Sequence, residues 1–245
     1  MTTTAAVIPA RYASTRFPGK PLAMIAGKPM IQWTCEKAAA SKVDLVIVAT
    51  DDERIKNAVE SFGFKAVMTS PDHQSGTDRT AEALQGVDAD IVINLQGDEP
   101  MLPASVINQL IDTMVSMPTL EMATVAVPAN PAGSEYQDPN TVKVVTDLKG
   151  KALYFSRSPL PFFRNTPDHS QCLLHWGIYA FRRDFLDKFV TWPQSELEKI
   201  ESLEQLRALE NGASIQVSIA HEKALGVDTP EDLAKVEQYL QQVKK

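Results

Sequence analysis

A loop near the start of the chain carries three cations of the kind that bind phosphate. Arg11, Arg16 and Lys20 lie on a proline-stiffened loop, directly after the short apolar segment 5–8. With Lys28 they are the only charged residues among the first 35, whereas the whole chain has a net charge of -7. Guanidinium groups bind phosphate oxygens bidentately, and a lysine adds a mobile point charge. A solvated surface loop fits the spacing equally well, but the absence of acidic neighbours favours a site for phosphates.

Two aspartates are candidates for holding a metal ion beside those phosphates. Asp98 follows segment 91–95, whose strongly apolar character is typical of a central strand. A carboxylate at the end of such a strand is a suitable Mg²⁺ ligand, and a loop acid that begins a turn is the alternative. For Asp228 the residues alone favour the structural alternative, because Thr229 and Asp232 have the spacing of a helix cap.

A further set of polar residues lies on the apolar segment 172–181. Strand alternation puts His175, Gly177 and Tyr179 on one face, and Gly177 leaves a gap between the two rings. An imidazole and a phenol beside such a gap suit a polyhydroxy ligand. A histidine with a purely structural role is the more common alternative.

One carboxylate is predicted to lie among apolar side chains. The helical pattern over 196–210 places Glu204 inside a broad arc of leucine and isoleucine side chains. A buried carboxylate needs a partner. Arg157, Arg207 and a ligand hydroxyl are the three partners that the residues leave open.

Several classes of protein are disfavoured by what the sequence lacks. No glycine fingerprint for a dinucleotide follows the first predicted strand, and Gly19, Gly27 and Lys28 do not have Walker A spacing, so NAD-dependent oxidoreduction and P-loop chemistry are disfavoured. Cys35 and Cys172 lack metal-type spacing. The acidic balance argues against nucleic acid or an anionic membrane as the main partner. Short apolar runs and the absence of a leader pattern predict a cytoplasmic protein.

The elements that must position these residues follow a βαβ rhythm. This rhythm predicts an α/β fold with a doubly wound, mostly parallel sheet. Strands are predicted over 5–8, 43–49, 66–68, 91–95, 122–127, 172–181 and 215–220, with a last helix from Pro230. After Val127 the pattern changes to a hairpin, 142–147 and 152–156, within an antiparallel insertion at about 128–171. We expect a single domain over 1–245.

Eight sequence blocks, spread in order over nearly the whole chain, together resemble the 3-deoxy-manno-octulosonate cytidylyltransferase (CMP-Kdo synthetase) family. Among the most distinctive are Gln-Ser-Gly-Thr-Asp-Arg, Gln-Gly-Asp-Glu-Pro and His-Trp-Gly-Ile-Tyr. The blocks cover 8–22, 48–52, 74–79, 96–100, 154–157, 175–179, 203–207 and 226–233.

The resemblance implies a fold, a reaction and a set of residue roles. The fold is that of nucleotide-diphospho-sugar transferases, with a mixed, mostly parallel sheet and a small antiparallel insertion through which the chain forms a homodimer. The reaction converts CTP and 3-deoxy-manno-octulosonate (Kdo) to CMP-Kdo and pyrophosphate, with Mg²⁺, for lipopolysaccharide biosynthesis. The implied phosphate ligands are Arg11, Arg16 and Lys20, and Lys20 also stabilises charge in the transition state. The implied nucleotide frame is Ser75, Gly76 and Thr77, and the Mg²⁺ ligands are Asp98 and Asp228. The implied sugar contacts are Gln96, Arg157, Arg164, His175, Tyr179, Glu204 and Gln205.

The chain departs from the family pattern at two places, and the second of them leaves the acceptor sugar open. Trp176 stands where an aliphatic residue is expected, and the loop from Arg164 to Leu174 is short. The alternatives are the same reaction on 8-amino-3,8-dideoxy-manno-octulosonate or on another acid sugar such as sialic acid. A nucleotide-sugar-binding protein without turnover is a third alternative, which the presence of both aspartates and all three cations disfavours.

Overall fold

The computed structural model describes residues 2–13, 17–165, 171–221, 225–227 and 229–243. They form two compact units, the first from residues 1–111 and 224–245, the second from residues 112–223. In chain order the elements are β1 (Thr4–Ala10), a 3₁₀ helix (Lys20–Leu22), β2 (Met24–Ile25), β3 (Lys28–Pro29), α1 (Met30–Ala39), β4 (Leu45–Thr50), α2 (Glu53–Ser61), β5 (Lys65–Met68), α3 (Gly76–Ala83), β6 (Ile91–Asn94), α4 (Ala104–Ser116), β7 (Met122–Ala129), α5 (Ser134–Gln137), β8 (Lys143–Thr146), β9 (Ala152–Ser156), β10 (Cys172–Arg182), α6 (Arg183–Phe189), α7 (Glu196–Glu201), α8 (Gln205–Glu210), β11 (Ile215–Ile219) and α9 (Pro230–Val243).

The first unit is built on four parallel strands in the order β6, β1, β4 and β5. The central strand β1 is buried along most of its length, and Val7 aligns with Ile47 on β4 and with Asn94 on β6. Because these strands are parallel, their carboxyl ends lie at one edge of the sheet. The loops that follow β1 and β6 therefore emerge side by side.

The second unit mixes the two strand directions. β7 pairs with β11 in parallel and with β10 in antiparallel orientation, and β8 pairs with both β10 and β9 in antiparallel orientation. β10 is irregular, because its register with β7 shifts between Trp176 and Tyr179. The predictions of a mixed, mostly parallel α/β fold and of an antiparallel hairpin, β8 and β9, are confirmed.

The structure shows that one helix prediction is wrong. The helix expected over 196–210 is two helices, α7 and α8, because Ser202 adopts a left-handed conformation (φ 51°, ψ 50°) that ends α7. The capping box of Ser195 and Glu198 begins α7 as predicted. Glu204 consequently lies at the N-cap of α8 instead of inside a continuous helix.

A search of the described residues for membrane-spanning helices finds none with the necessary length and apolar character.

Candidate active site

A cavity of about 160 Å³ opens at the carboxyl edge of the parallel sheet in the first unit. Its lining includes Arg11 from the loop after β1, Lys20 from the 3₁₀ helix, and Gln96 and Asp98 from the loop after β6. The structure therefore brings together four residues that the sequence predicted for binding phosphate, sugar and metal. They converge because β1 and β6 are adjacent parallel strands.

Lys20 is aimed into this cavity by the turn that precedes it. Gly19 has a φ of 72°, and a Cβ atom there would lie only 3.1 Å from the ring of Tyr12. Glycine is favoured at this position because it adopts the left-handed backbone conformation without strain and leaves room for the Tyr12 ring. The Lys20 ammonium donates to Asp98 Oδ2 at 2.7 Å and to the carbonyl oxygen of Val227 at 3.0 Å. The cation and the carboxylate predicted to act on phosphate and metal are an ion pair.

Asp98 is held by tight backbone packing on both sides. A Cβ atom at Gly97 would lie 3.2 Å from the Pro9 carbonyl oxygen, so the loop after β6 packs directly against β1. The N–H of Val227 donates to the Asp98 carbonyl oxygen at 2.9 Å. Asp228, the second predicted metal ligand, follows Val227 in the sequence and lies outside the described residues.

The carboxylate of Asp98 fits the requirements of Mg²⁺. Among the described residues, no group of three or more His, Cys, Asp or Glu side chains is arranged to hold a metal ion. Mg²⁺ does not need such a cage, since it binds through one or two carboxylates together with phosphate oxygens and water. An aspartate beside a cavity lined by Arg11 and Lys20, which are predicted to bind phosphate, supplies a carboxylate of this type.

Arg11 is connected to a network that the sequence did not indicate. Its Nη2 donates to the carbonyl oxygen of His73, whose ring pairs with Glu82. Glu82 also accepts a hydrogen bond from the Ser70 N–H at 2.9 Å, and these two partners hold the pKa of Glu82 below its usual value. The loop before α3 thereby anchors Arg11. Arg16, predicted to act beside it, lies outside the described residues.

Beneath this loop lies a buried ion pair, which sequence reasoning also missed. The guanidinium of Arg79 donates to Asp51 at 2.8 Å and to the hydroxyl of Thr69 at 2.5 Å. Burial lowers the pKa of Arg79, and the Asp51 carboxylate opposes this shift. Arg79 belongs to one of the blocks that carry the family resemblance, but its residue type gives no sign that it is buried.

The predicted nucleotide frame lies at the start of α3. Ser75 caps the helix, and Gly76 packs so closely on Pro9 that an added Cβ atom would lie 3.2 Å from the proline ring. Buried Thr77 accepts a hydrogen bond from Asn94 Nδ2 at 3.2 Å. These contacts fix the helix start against β1 and β6, which carry the loops of the cavity.

The second unit brings together three of the predicted sugar contacts. The rings of His175 and Tyr179 lie 5.5 Å apart, and a Cβ atom at the intervening Gly177 would meet open space. Burial lowers the pKa of His175 to about 3. Burial, and next the Glu204 carboxylate, raise the pKa of Tyr179 well above its usual value. The site therefore presents a neutral imidazole and a neutral phenol beside a carboxylate, and the predicted gap is confirmed.

Arg157 is fixed by backbone carbonyl groups. Its Nε donates to Glu201 O at 2.7 Å, its Nη1 to Pro139 O at 3.0 Å and its Nη2 to Ser202 O at 3.2 Å. The Glu201 carboxylate in turn accepts the Arg157 N–H at 2.9 Å. Arg157 thus secures the left-handed turn between α7 and α8.

The two remaining predicted sugar contacts differ in burial. Gln205 is only 4% exposed, and among the described residues its Nε2 has no hydrogen-bond partner. A buried amide donor of this kind is normally satisfied by a protein group, an ordered water or a ligand. Arg164 is exposed.

The comparisons with known proteins agree with this geometry. The family model described as cytidylyltransferase matches residues 5–218. A 3-deoxy-manno-octulosonate cytidylyltransferase of Trichlorobacter lovleyi is 49% identical over 97% of this chain and 98% of its own. One from Vibrio cholerae is 51% identical over 94% of both chains.

Solved structures give the same result. A CMP:2-keto-3-deoxy-manno-octonic acid synthetase in complex with CTP matches 99% of this chain and 100% of its own, with a TM-score of 0.94 and 47% identity. A cytidylyltransferase from Leptospira borgpetersenii, 16% identical with a TM-score of 0.66, shares the fold. The fold, the cation-lined cavity and the near full-length relatives all agree. The chain therefore belongs to the cytidylyltransferase family, among the 3-deoxy-manno-octulosonate cytidylyltransferases.

Proposed function

We propose that this protein transfers CMP from CTP to Kdo, giving CMP-Kdo and pyrophosphate for lipopolysaccharide biosynthesis. The observation that carries the proposal is the convergence of Arg11, Lys20 and Asp98 on one cavity at the carboxyl edge of a parallel sheet. Nucleotides bind at this edge in open α/β folds. The near full-length relatives named for this reaction support the same conclusion.

The chemistry requires mainly positioning and neutralisation of charge. The anomeric hydroxyl of the sugar attacks the α-phosphorus in line with the departing pyrophosphate, and no covalent enzyme intermediate is needed. We assign Arg11, with Arg16, to the phosphate oxygens, and Ser75, Gly76 and Thr77 to the nucleotide. Lys20 moves its charge from Asp98 to the phosphates and stabilises the α-phosphate in the transition state.

We propose Mg²⁺ as the cofactor, with Asp98 and Asp228 as its protein ligands. When bound, Mg²⁺ neutralises phosphate charge and lowers the pKa of the attacking hydroxyl. The contribution of the chain is to keep the Asp98 carboxylate at the cavity. The tight packing of Gly97 against Pro9 holds that carboxylate in place.

The acceptor sugar is recognised by neutral and charged groups in different ways. His175 and Tyr179 form hydrogen bonds with hydroxyl groups of the sugar. The Glu204 carboxylate accepts hydrogen bonds from sugar hydroxyl groups. The buried Gln205 Nε2 gains the partner that it lacks among the described residues. We assign Gln96, Arg157 and Arg164 to the sugar as well, with the two arginines facing its carboxylate.

Pyrophosphate release from purified protein, CTP, Mg²⁺ and a panel of acceptors tests the function. We expect the highest kcat/KM with Kdo, and lower values with its 8-amino-8-deoxy analogue and with sialic acid. A higher kcat/KM with either other sugar would reassign the acceptor. CTP binding without pyrophosphate release above background for any acceptor would instead support a protein that binds nucleotides without turnover.

We further propose that the protein acts as a homodimer in the cytoplasm. The hairpin of β8 and β9 carries the exposed apolar side chains Leu148 and Leu153, which a second copy of the hairpin would cover. Both cysteines are buried free thiols, which suits a reducing compartment.

Sedimentation equilibrium tests the dimer. We expect twice the chain mass for the wild type and the single-chain mass for the double variant Leu148→Asp, Leu153→Asp. Val115→Asp, at another exposed apolar position of the second unit, is the control and should remain dimeric. A monomeric wild type, or a dimeric hairpin variant, would contradict this interface.

A further inference from the structure

A buried threonine lies behind the histidine of the sugar site. Thr124 is on β7, is fully buried, and is aligned with Tyr179 at the point where the register of β10 shifts. Its hydroxyl oxygen lies 2.8 Å from the carbonyl oxygen of Ile178 and 3.3 Å from that of Trp176. The same oxygen lies 2.9 Å from His175 Nε2. One hydroxyl thus contacts three groups of the irregular strand.

The three contacts determine which atom donates each hydrogen bond. A carbonyl oxygen can only accept, and a hydroxyl has a single proton. The Thr124 proton must therefore point to the carbonyl groups of Ile178 and Trp176, since otherwise the lone pairs of Thr124 would face both carbonyl oxygens. The hydroxyl then accepts from His175, so the proton of the neutral imidazole is on Nε2. Nδ1 is left as a hydrogen-bond acceptor.

The rest of the strand environment holds the His175 ring in this orientation. The backbone N–H of His175 donates to the Val142 carbonyl oxygen at 2.8 Å. Phe155 packs edge-on against the imidazole at a centroid distance of 4.9 Å, and Tyr179 lies at 5.5 Å. The low pKa of His175 keeps the ring neutral under physiological conditions. These contacts define the position and the rotation of the ring.

We propose that Thr124 is a positioning residue for the acceptor sugar, which locks His175 as the Nε2–H tautomer so that Nδ1 accepts a hydrogen bond from a sugar hydroxyl. This inference rests on the proposed assignment of His175 to the sugar. It adds a specificity element, because a site that offers an acceptor at this point selects a donor group on the ligand. An acceptor sugar with an ether or a hydrogen in place of that hydroxyl leaves Nδ1 unpaired.

The tautomer can be measured without substrate by ¹⁵N NMR on protein labelled at histidine. The chain has four histidines, and a His175→Gln variant assigns the signal of this ring. We expect a protonated Nε2 and an unprotonated Nδ1 in the wild type and in Thr124→Ser, which keeps the hydroxyl. Thr124→Val removes the hydroxyl and should give the other tautomer or a mixture.

Kinetics then connects the tautomer to the sugar. For Thr124→Val we expect the KM for Kdo to rise about tenfold, the cost of one hydrogen bond, with the KM for CTP unchanged. Thr124→Ser keeps the hydroxyl and should have the wild-type KM for both substrates. Ser218→Ala is the matched control, because it removes another buried hydroxyl from a strand paired with β7, where it bonds Thr113 at 3.1 Å.

Three results would overturn the action of Thr124 on His175, and a fourth would overturn only the proposed function. A wild-type ring protonated on Nδ1 contradicts it even if Thr124→Val fails to fold. An unchanged tautomer in Thr124→Val, or the same rise in KM in Ser218→Ala, would show that Thr124 acts only through packing. Absence of transfer by the wild type, with the expected tautomer present, would contradict the proposed function and leave the action of Thr124 on His175 intact.

Discussion

Replacing Asp98 by asparagine should reduce kcat/KM for CMP transfer by about a thousandfold, equivalent to about 4 kcal/mol of transition-state stabilisation. Asparagine has nearly the same shape, so the loop after β6 should stay packed against β1 through Gly97. What is lost is the negative charge, which a divalent cation and Lys20 both require. Steady-state pyrophosphate release at several Mg²⁺ concentrations measures the effect, and the required Mg²⁺ concentration should rise.

The matched control for this variant is Asp52→Asn. Asp52 also follows a parallel strand of the first unit and also pairs with a cation, Arg54, at 2.6 Å, but it does not line the cavity. Asparagine can still cap α2 there. The control should keep its activity within about twofold. Equal losses in the two variants would show that the carboxylates matter through stability, and an active Asp98→Asn enzyme would remove Asp98 from the metal site.

Replacing Lys20 by methionine should lower kcat by about a hundredfold and also raise the KM for CTP. Methionine keeps most of the side-chain length and loses the ammonium group that donates to Asp98. A cation that bound only the ground state would change KM alone, whereas stabilisation of the transition state must appear in kcat. Separate determination of kcat and KM with CTP as the varied substrate distinguishes the two effects.

Lys28→Met provides the comparison for this second prediction. Lys28 belongs to the same basic segment, but its ammonium pairs with Glu36 at 2.7 Å and lies over the ring of Trp33. Removing it subtracts one positive charge without changing the cavity lining. If the two lysine variants had similar kinetics, a general electrostatic effect would explain the result, and Lys20 would have no specific role.

The convergence of the nucleotide site could be predicted from the sequence. Arg11 and Asp98 each follow a short apolar strand, and strands of a βαβ fold end at a common edge. The order of blocks along the chain then assigned the family and predicted the roles of the site residues, which stay predictions. Arg16 and Asp228 lie outside the described residues.

The features that could not be predicted from the sequence depend on tertiary contacts. The apolar pattern over 196–210 continues through Ser202, and serine has no strong signal for the left-handed conformation that divides the helix. In the sequence, nothing distinguishes Thr124 from any other residue of an apolar strand. Its contact with His175 depends on the register between β7 and β10, which shifts within β10. No local sequence pattern reveals this shift.

The ion pair between Lys20 and Asp98 joins the group proposed to bind phosphate to the group proposed to bind metal. Each charge is the counter-ion of the other, so phosphates that attract the ammonium would release the carboxylate to bind a different cation. By thermodynamic linkage the converse also holds, and each ligand then binds more tightly in the presence of the other. On the proposed roles of Lys20 and Asp98, the protein is thereby suited to capture a nucleotide together with Mg²⁺ as one neutralised unit, and to discriminate against either of them arriving alone.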